Sequence, residues 1–180
     1  MFAALVETQA VAAVQDPTAP FEFLSGWVYG VSLQKDEIRN AMIACAVPDD
    51  GLKHDVYAAM DALGRGDSKT ANDKWNDATP LYKTALAKCG DDVTGPLEKW
   101  GDAINKMVTD KDWDKNSKKI YDDNKKEIDD DVALEIQWFD GAKFNAFNSG
   151  MYAGRVDKIF LDNSPAPTLI VHPFVGSFTN

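Results

Sequence analysis

Cys45 and Cys89 are the only cysteines in this chain of 180 residues, and His54 and His172 are its only histidines. Four such residues are little material for a metal centre or a nucleophilic dyad. Neither histidine has a cysteine or histidine partner at the spacing a zinc site requires, so both read as structural. A run with chemical promise is Asp110-Lys111-Asp112-Trp113-Asp114-Lys115-Asn116, whose carboxylates fall at positions one, three and five of a calcium loop. That loop also needs glycine at position six and glutamate at twelve, where this chain has Lys115 and Tyr121. Asp129-Asp130-Asp131 reads as a solvated helical feature. No nucleophile elbow, zinc-protease, phosphate-loop or dinucleotide fingerprint occurs. The expectation is a protein that is not an enzyme, with no cofactor and no metal.

The remaining motifs are architectural. Gly26-Trp27-Val28-Tyr29-Gly30 and Gly150-Met151-Tyr152-Ala153-Gly154 are both GxxxG. Glycine weakens a helix, so two such pairs inside helical patterns need a reason. The flanks are too polar for lipid, and close backbone contact inside a bundle, as between its first and last helices, is the expected use. A groove for an apolar ligand is the alternative. Gly64-Arg65-Gly66-Asp67-Ser68 matches an integrin-binding pentapeptide, but it explains itself as a helix stop followed by an N-cap. Cys45 and Cys89 each lie where a helical pattern ends. A disulfide between them would close a loop of about 45 residues, worth roughly 4 kcal/mol, and would place the chain in an oxidising compartment. Two buried thiols are the other reading.

These motifs must be positioned by helices. Apolar residues recur at helical spacing over Pro20–Val31, Asp36–Ala46, Asp50–Leu63 and Ser68–Lys88, with Pro80 expected to bend the fourth. Gly95-Pro96 is expected to open a fifth helix. Asp110–Asp131 has fifteen charged residues among twenty-two. It reads as the exposed start of a long helix that ends in an apolar stripe of Ile128, Val132, Ile136 and Phe139. A last helix is expected over Ala142–Leu161. The fold class is therefore all-α, a single bundle of six or seven helices over residues 21–161. Residues 1–20 form an N-terminal arm or signal remnant, and residues 162–180 an extended C-terminal tail.

The order of motifs carries a resemblance. Phe23-x-x-Gly26-x-x-x-Gly30 precedes a helix ending at Cys45. Then come Leu63-x-x-Gly66-Asp67-x-x-x-Ala71-x-x-x-Trp75-x-x-Ala78 up to Cys89, Ile120-Tyr121-x-x-x-Lys125-x-Glu127-Ile128, and Gly141-Ala142-Lys143-Phe144. Over Phe21 to Leu161 this is similar to a group of small secreted helical proteins of ciliates and related protists. The resemblance implies a signal peptide, a cysteine pair and no assigned enzymatic activity. It transfers no catalytic residue.

Charge and the tail bound the function. Nineteen basic against twenty-nine acidic residues leave a formal charge of −10, which disfavours nucleic acid, where affinity comes from lysine and arginine on phosphates. No apolar run reaches the length of a membrane span. Thr168 to Phe178 is uncharged, β-branched and aromatic, a hazard if left free in water. Leu169, Ile170, Val171, Phe174, Val175 and Phe178 are the expected partner-binding residues. The expectation is a non-enzymatic structural subunit of a larger extracellular or lumenal assembly, a filament or coat, in which the tail docks on a neighbouring subunit in a homo-oligomer or hetero-assembly. One alternative is a helical binding module carrying an apolar ligand between helices, with aromatic residues such as Trp27, Tyr29, Trp100, Trp138, Phe144 and Phe147 around it. Another is a subunit of an organelle-associated complex.

Overall fold

A computed structural model describes residues 16–33, 37–140 and 144–164. Seven helices occur among them: α1 (Ala19–Val31), α2 (Arg39–Cys45), α3 (Asp50–Gly64), α4 (Ser68–Ala85), α5 (Asp91–Val108), α6 (Trp113–Asp140) and α7 (Ala146–Asn163). The all-α bundle with its disulfide is therefore established. The proposed tail anchors Leu169, Ile170, Val171, Phe174, Val175 and Phe178 lie outside the described residues, as do His172 and most of the N-terminal arm.

Local chemistry sets the helix ends. Pro20 sits at the start of α1, where its missing N–H costs nothing. The Asp49, Asp67 and Asn145 side chains cap α3, α4 and α7 by accepting from the backbone N–H of Leu52, Thr70 and Asn148 at 2.8, 3.0 and 2.9 Å. Gly66, at φ 73°, turns the chain between α3 and α4. Several boundaries differ from expectation, among them one each on α4, α5 and α7. α4 ends at Ala85, and Leu86–Lys88 form a turn before Cys89. α5 begins at Asp91, a turn before Gly95-Pro96: two acidic residues open it and favour the positive end of the helix, while Pro96 lies inside. α7 begins at Ala146 because Asn145 supplies the cap.

α1 is the central element. Phe21, Phe23, Leu24, Trp27, Val28 and Val31 are all buried, and the helix touches α2, α3, α5 and α7. Phe23 stacks on Trp75 of α4 at 5.2 Å between ring centroids, and the buried Tyr82 hydroxyl donates to the Pro20 carbonyl at 2.6 Å. α3 and α4 form a hairpin on one side; α6 and α7 pair on the other.

The seam between α1 and α7 is backbone on backbone. A Cβ built on Gly26 would lie 2.0 Å from the Phe147 carbonyl oxygen, and one on Gly30 2.1 Å from that of Met151. Reciprocally, a Cβ on Gly150 would lie 1.9 Å from the Phe23 carbonyl oxygen, and one on Gly154 2.2 Å from that of Trp27. Contacts rise together along both chains, so the two helices run parallel. Each glycine hydrogen that stands in for a Cβ is aimed at a carbonyl, a weak Cα–H···O contact of about 0.5–1 kcal/mol.

Cys45 and Cys89 are bonded, with Cα atoms 5.1 Å apart and a sequence separation of 44. Beside them the Val47 N–H donates to the Ala85 carbonyl at 2.9 Å. Together these contacts tie the exit of α2 to the end of α4.

Two stability predictions follow from this packing. Gly26→Ala or Gly150→Ala should cost about 3 kcal/mol or more by urea denaturation, because a backbone carbonyl cannot step aside as a side chain can. Gly95→Ala, with open space around it apart from its chain neighbours, should instead change stability by less than about 1 kcal/mol, because the helix-propensity gain is opposed by Pro96, which disfavours helical backbone at a preceding residue with a Cβ. Equal effects at both positions would show that the seam is not close-packed. Replacing Cys45 and Cys89 together by alanine should remove about 4 kcal/mol, the loop-closure value for this separation, read from the same denaturation curves under non-reducing conditions.

Candidate functional site: the groove of α1, α6 and α7

The inward line of α6 is not the apolar stripe expected from its sequence. Ile128, Asp131, Glu135 and Phe139 are buried, whereas Val132 and Ile136 are only half-buried. The helix is rotated so that two carboxylates face the bundle. The reason lies on α7. The Ser149 hydroxyl donates to the Glu135 carbonyl at 2.8 Å, and Arg155 Nε lies 3.2 Å from Asp131 Oδ2. A third buried carboxylate, Asp157, accepts a 2.7 Å hydrogen bond from Trp27 Nε1 of α1. A polar layer thus crosses the three helices beside the glycine seam.

Asp129 and Asp130 do meet the expectation of a solvated face. Lys125 and Lys126 pair with them one turn away, and Lys118 and Lys119 pair likewise with Asp122 and Asp123. Tyr121 bridges this ladder: its hydroxyl donates to Asp129 and accepts from Lys125, each at 2.8 Å. These hydrogen bonds, to Asp129 first and then Tyr121, push the Lys125 ammonium well above the ordinary lysine range and hold the Asp129 carboxyl below its own. Asp131 behaves oppositely. At 3% exposure its carboxyl is raised by burial, which outweighs the Arg155 guanidinium, and Glu127 and Asp130 add to the rise. Oδ2 of Asp131 has the ion pair with Arg155 but no aligned hydrogen bond.

α6 also contains a break that the charge pattern hides. Asn124 leaves helical geometry at φ −117°, ψ 17°, and its side-chain amide donates to the Ile120 carbonyl at 2.9 Å. A short polar side chain competing for the helix's own carbonyl is the local cause. Asn124 is the common point of the grooves on this face. One of about 450 Å³ runs between the end of α1 and α7, with Leu33, Met151, Ile159 and Asn163 among its walls. A second of about 570 Å³ continues past Asp130, Leu134 and Tyr152. Leu33 is 56% exposed and sits in left-handed backbone at φ 54°.

The other sequence candidates resolve simply. Gly26, Gly30, Gly150 and Gly154 are brought together in the seam, and Cys45 and Cys89 in the disulfide. Asp110 and Asp112 lie in the turn before α6 and Asp114 in its first turn: the Asp110 carboxylate accepts from the Asp112 N–H at 2.8 Å, and no group of three His, Cys, Asp or Glu among the described residues is placed to hold a metal ion. His54 is exposed beside Asp55. In the Arg65-Gly66-Asp67 turn, Arg65 pairs with Asp61 and the Asp67 carboxylate is engaged as the α4 cap. Trp27 and Phe144 belong to the packed interior or its margin, and the Phe144 ring stacks with Tyr57. No described helix is long and apolar enough to cross a membrane. Sequence reasoning missed Asn124, Leu33 and the burial of Asp131. An Asn amid lysines and aspartates was the available signal for the first.

Comparison with protein-family models, with curated proteins and with solved structures finds no match to this chain.

Asp131 makes a pH test possible. Its folded-state pKa lies above the unfolded carboxylate value of about 3.9. The folded protein therefore binds the extra proton, and this residue's contribution becomes less favourable as pH rises from that value through the raised one. Asp131→Asn should match the wild type at pH 3 and be the more stable of the two at pH 7, by chemical denaturation at both. A variant less stable at pH 7 would show that the Arg155 attraction outweighs burial.

Proposed function

We propose that this chain is a non-enzymatic structural subunit of a larger extracellular or lumenal assembly, held to a neighbouring subunit by its C-terminal tail. The observation that carries the reading is the contrast between the bundle and what leaves it. The bundle closes its core around α1 and fastens it with a disulfide. α7 then delivers the chain to the surface at Ser164 in extended backbone (φ −68°, ψ 133°). The sequence that follows contains no charged residue and carries Leu169, Ile170, Val171, Phe174, Val175 and Phe178. Such a segment gains free energy only by covering its apolar side chains, and strand addition or groove filling on a neighbour does so. A head-to-tail contact of that type closes into rings or propagates into filaments. The disulfide agrees with an oxidising compartment, and the resemblance to secreted protist proteins without assigned activity points the same way.

The test is the native mass by light scattering, with and without residues 165–180. The expected outcome is a multimer that falls to about the monomer mass on truncation, with the denaturation midpoint of the bundle unchanged. Undiminished assembly by the truncated chain would refute the reading.

A further inference from the structure

The geometry points to the groove between the end of α1 and α7 as the acceptor for the tail of a second copy of this chain. This inference rests on the tail-docking reading above and gives the tail its receptor.

Charge is compatible with the groove. Two copies that each carry −10 repel on approach and associate best through surfaces that add no charge. The charged groups lining the groove are Glu127 and Asp162 against Arg155 and Lys158, which is net zero in a strongly acidic protein. Residues 164–180 contain no Asp, Glu, Lys or Arg. A neutral groove therefore meets a neutral segment.

Shape and surface agree. Leu33 is one of two large apolar side chains exposed among the described residues, and it stands in this groove with Met151 and Ile159. Left-handed backbone is unfavourable at a leucine, and here it holds an apolar side chain that is 56% exposed. Along α7 the groove runs from Met151 to Asn163, about 18 Å at the helical rise. That length takes five or six residues of extended chain at about 3.3 Å each, the size of Thr168–Phe174 less its ends. Polar groups of Asn124, Glu127 and Lys158 stand beside Leu33, Met151 and Ile159 in the groove and can meet the backbone of such a strand.

Chain direction selects a second copy over the same one. α7 runs along the groove toward Asn163, and the described chain ends at the far rim with Ser164 extended. Returning into its own groove requires a reversal, and the Pro165-Ala166-Pro167 sequence that follows opposes a trans-proline turn, since a residue before proline disfavours the helical geometry such a turn needs.

The experiment uses two full-length variants and sedimentation or light scattering. Leu33→Asn/Ile159→Gln blocks the groove, and asparagine is at ease in left-handed backbone. Ile170→Asp/Phe174→Asp blocks the tail. Each alone should self-associate at least about tenfold more weakly than the wild type, with an unchanged denaturation midpoint. Mixed, they should recover a complex of two chains, because one still has a groove and the other a tail. Wild-type assembly by the groove variant beside a monomeric tail variant would overturn this groove and leave the tail reading standing. Wild-type assembly by the tail variant would overturn both. A wild-type protein that stays monomeric at every accessible concentration would overturn the second-copy occupant and leave a different partner for the tail.

Discussion

The bundle depends on two parallel helices whose backbones touch. Four glycines in α1 and α7 let carbonyl groups approach to where a Cβ would stand. In water this is an expensive choice: each glycine gives up about 0.8–1.0 kcal/mol of helix propensity relative to alanine. The return is a seam with almost no side-chain volume in it. Because the seam is thin, α1 can present its remaining faces to α2, α3 and α5 and remain buried. The position of α7 then fixes everything hung upon it. Ser149, Arg155 and Asp157 are all on α7 and engage Glu135, Asp131 and Trp27 in turn. Widening the seam would move all three contacts at once.

The seam was legible in the sequence for a physical reason. Glycine at i and i+4 inside an otherwise apolar helical pattern is locally unfavourable, so a tertiary cause had to exist, and only close approach supplies one. The caps were legible for a similar reason: Asp67 and Ser68 after a Gly-Arg-Gly stop admit few other readings. The rotation of α6 was not. Its apolar periodicity pointed to Val132 and Ile136, and nothing local to α6 says that Asp131 and Glu135 face inward. That information sits on α7, in an arginine and a serine more than a dozen residues away, and becomes visible only when the helices pair. The start of α5 was misplaced because proline at Gly95-Pro96 is a strong local start signal, while Asp91 and Asp92 act through the weaker helix dipole. Asn124 left a faint local signal, a short amide amid lysines and aspartates that competes for the Ile120 carbonyl, whereas a leucine gives no sign of left-handed backbone at Leu33.

Charge is handled in two distinct ways on one helix. On the outer face of α6, lysine and aspartate pair one turn apart, and each exposed pair contributes little to stability. Their value is that a strongly acidic segment stays helical without a hydrophobic partner on that side. On the inner face Asp131 gives up hydration for an ion pair with an arginine that is 42% exposed. Arg155 remains largely hydrated, so the pair recovers little of what burying the carboxylate costs. Stability alone would favour an uncharged residue there. What the arrangement supplies is geometry: Arg155 is held across α6 and over the Tyr152 ring, 5.3 Å from its centroid, on the wall of the groove.

The same logic extends to the end of α1. A chain that uses glycine wherever backbone contact demands it, and again at the left-handed turn of Gly66, places leucine at the left-handed Leu33. Glycine or asparagine would relieve the backbone at that position, and neither would leave a large apolar group in water. Leu33 thus runs against both backbone preference and solvation at one residue. The charge of the chain narrows what could offset those costs. An acidic partner is repelled by the protein as a whole, and a basic one finds a groove whose own charges already balance. An uncharged apolar segment meets neither obstacle, and this chain carries one immediately after α7.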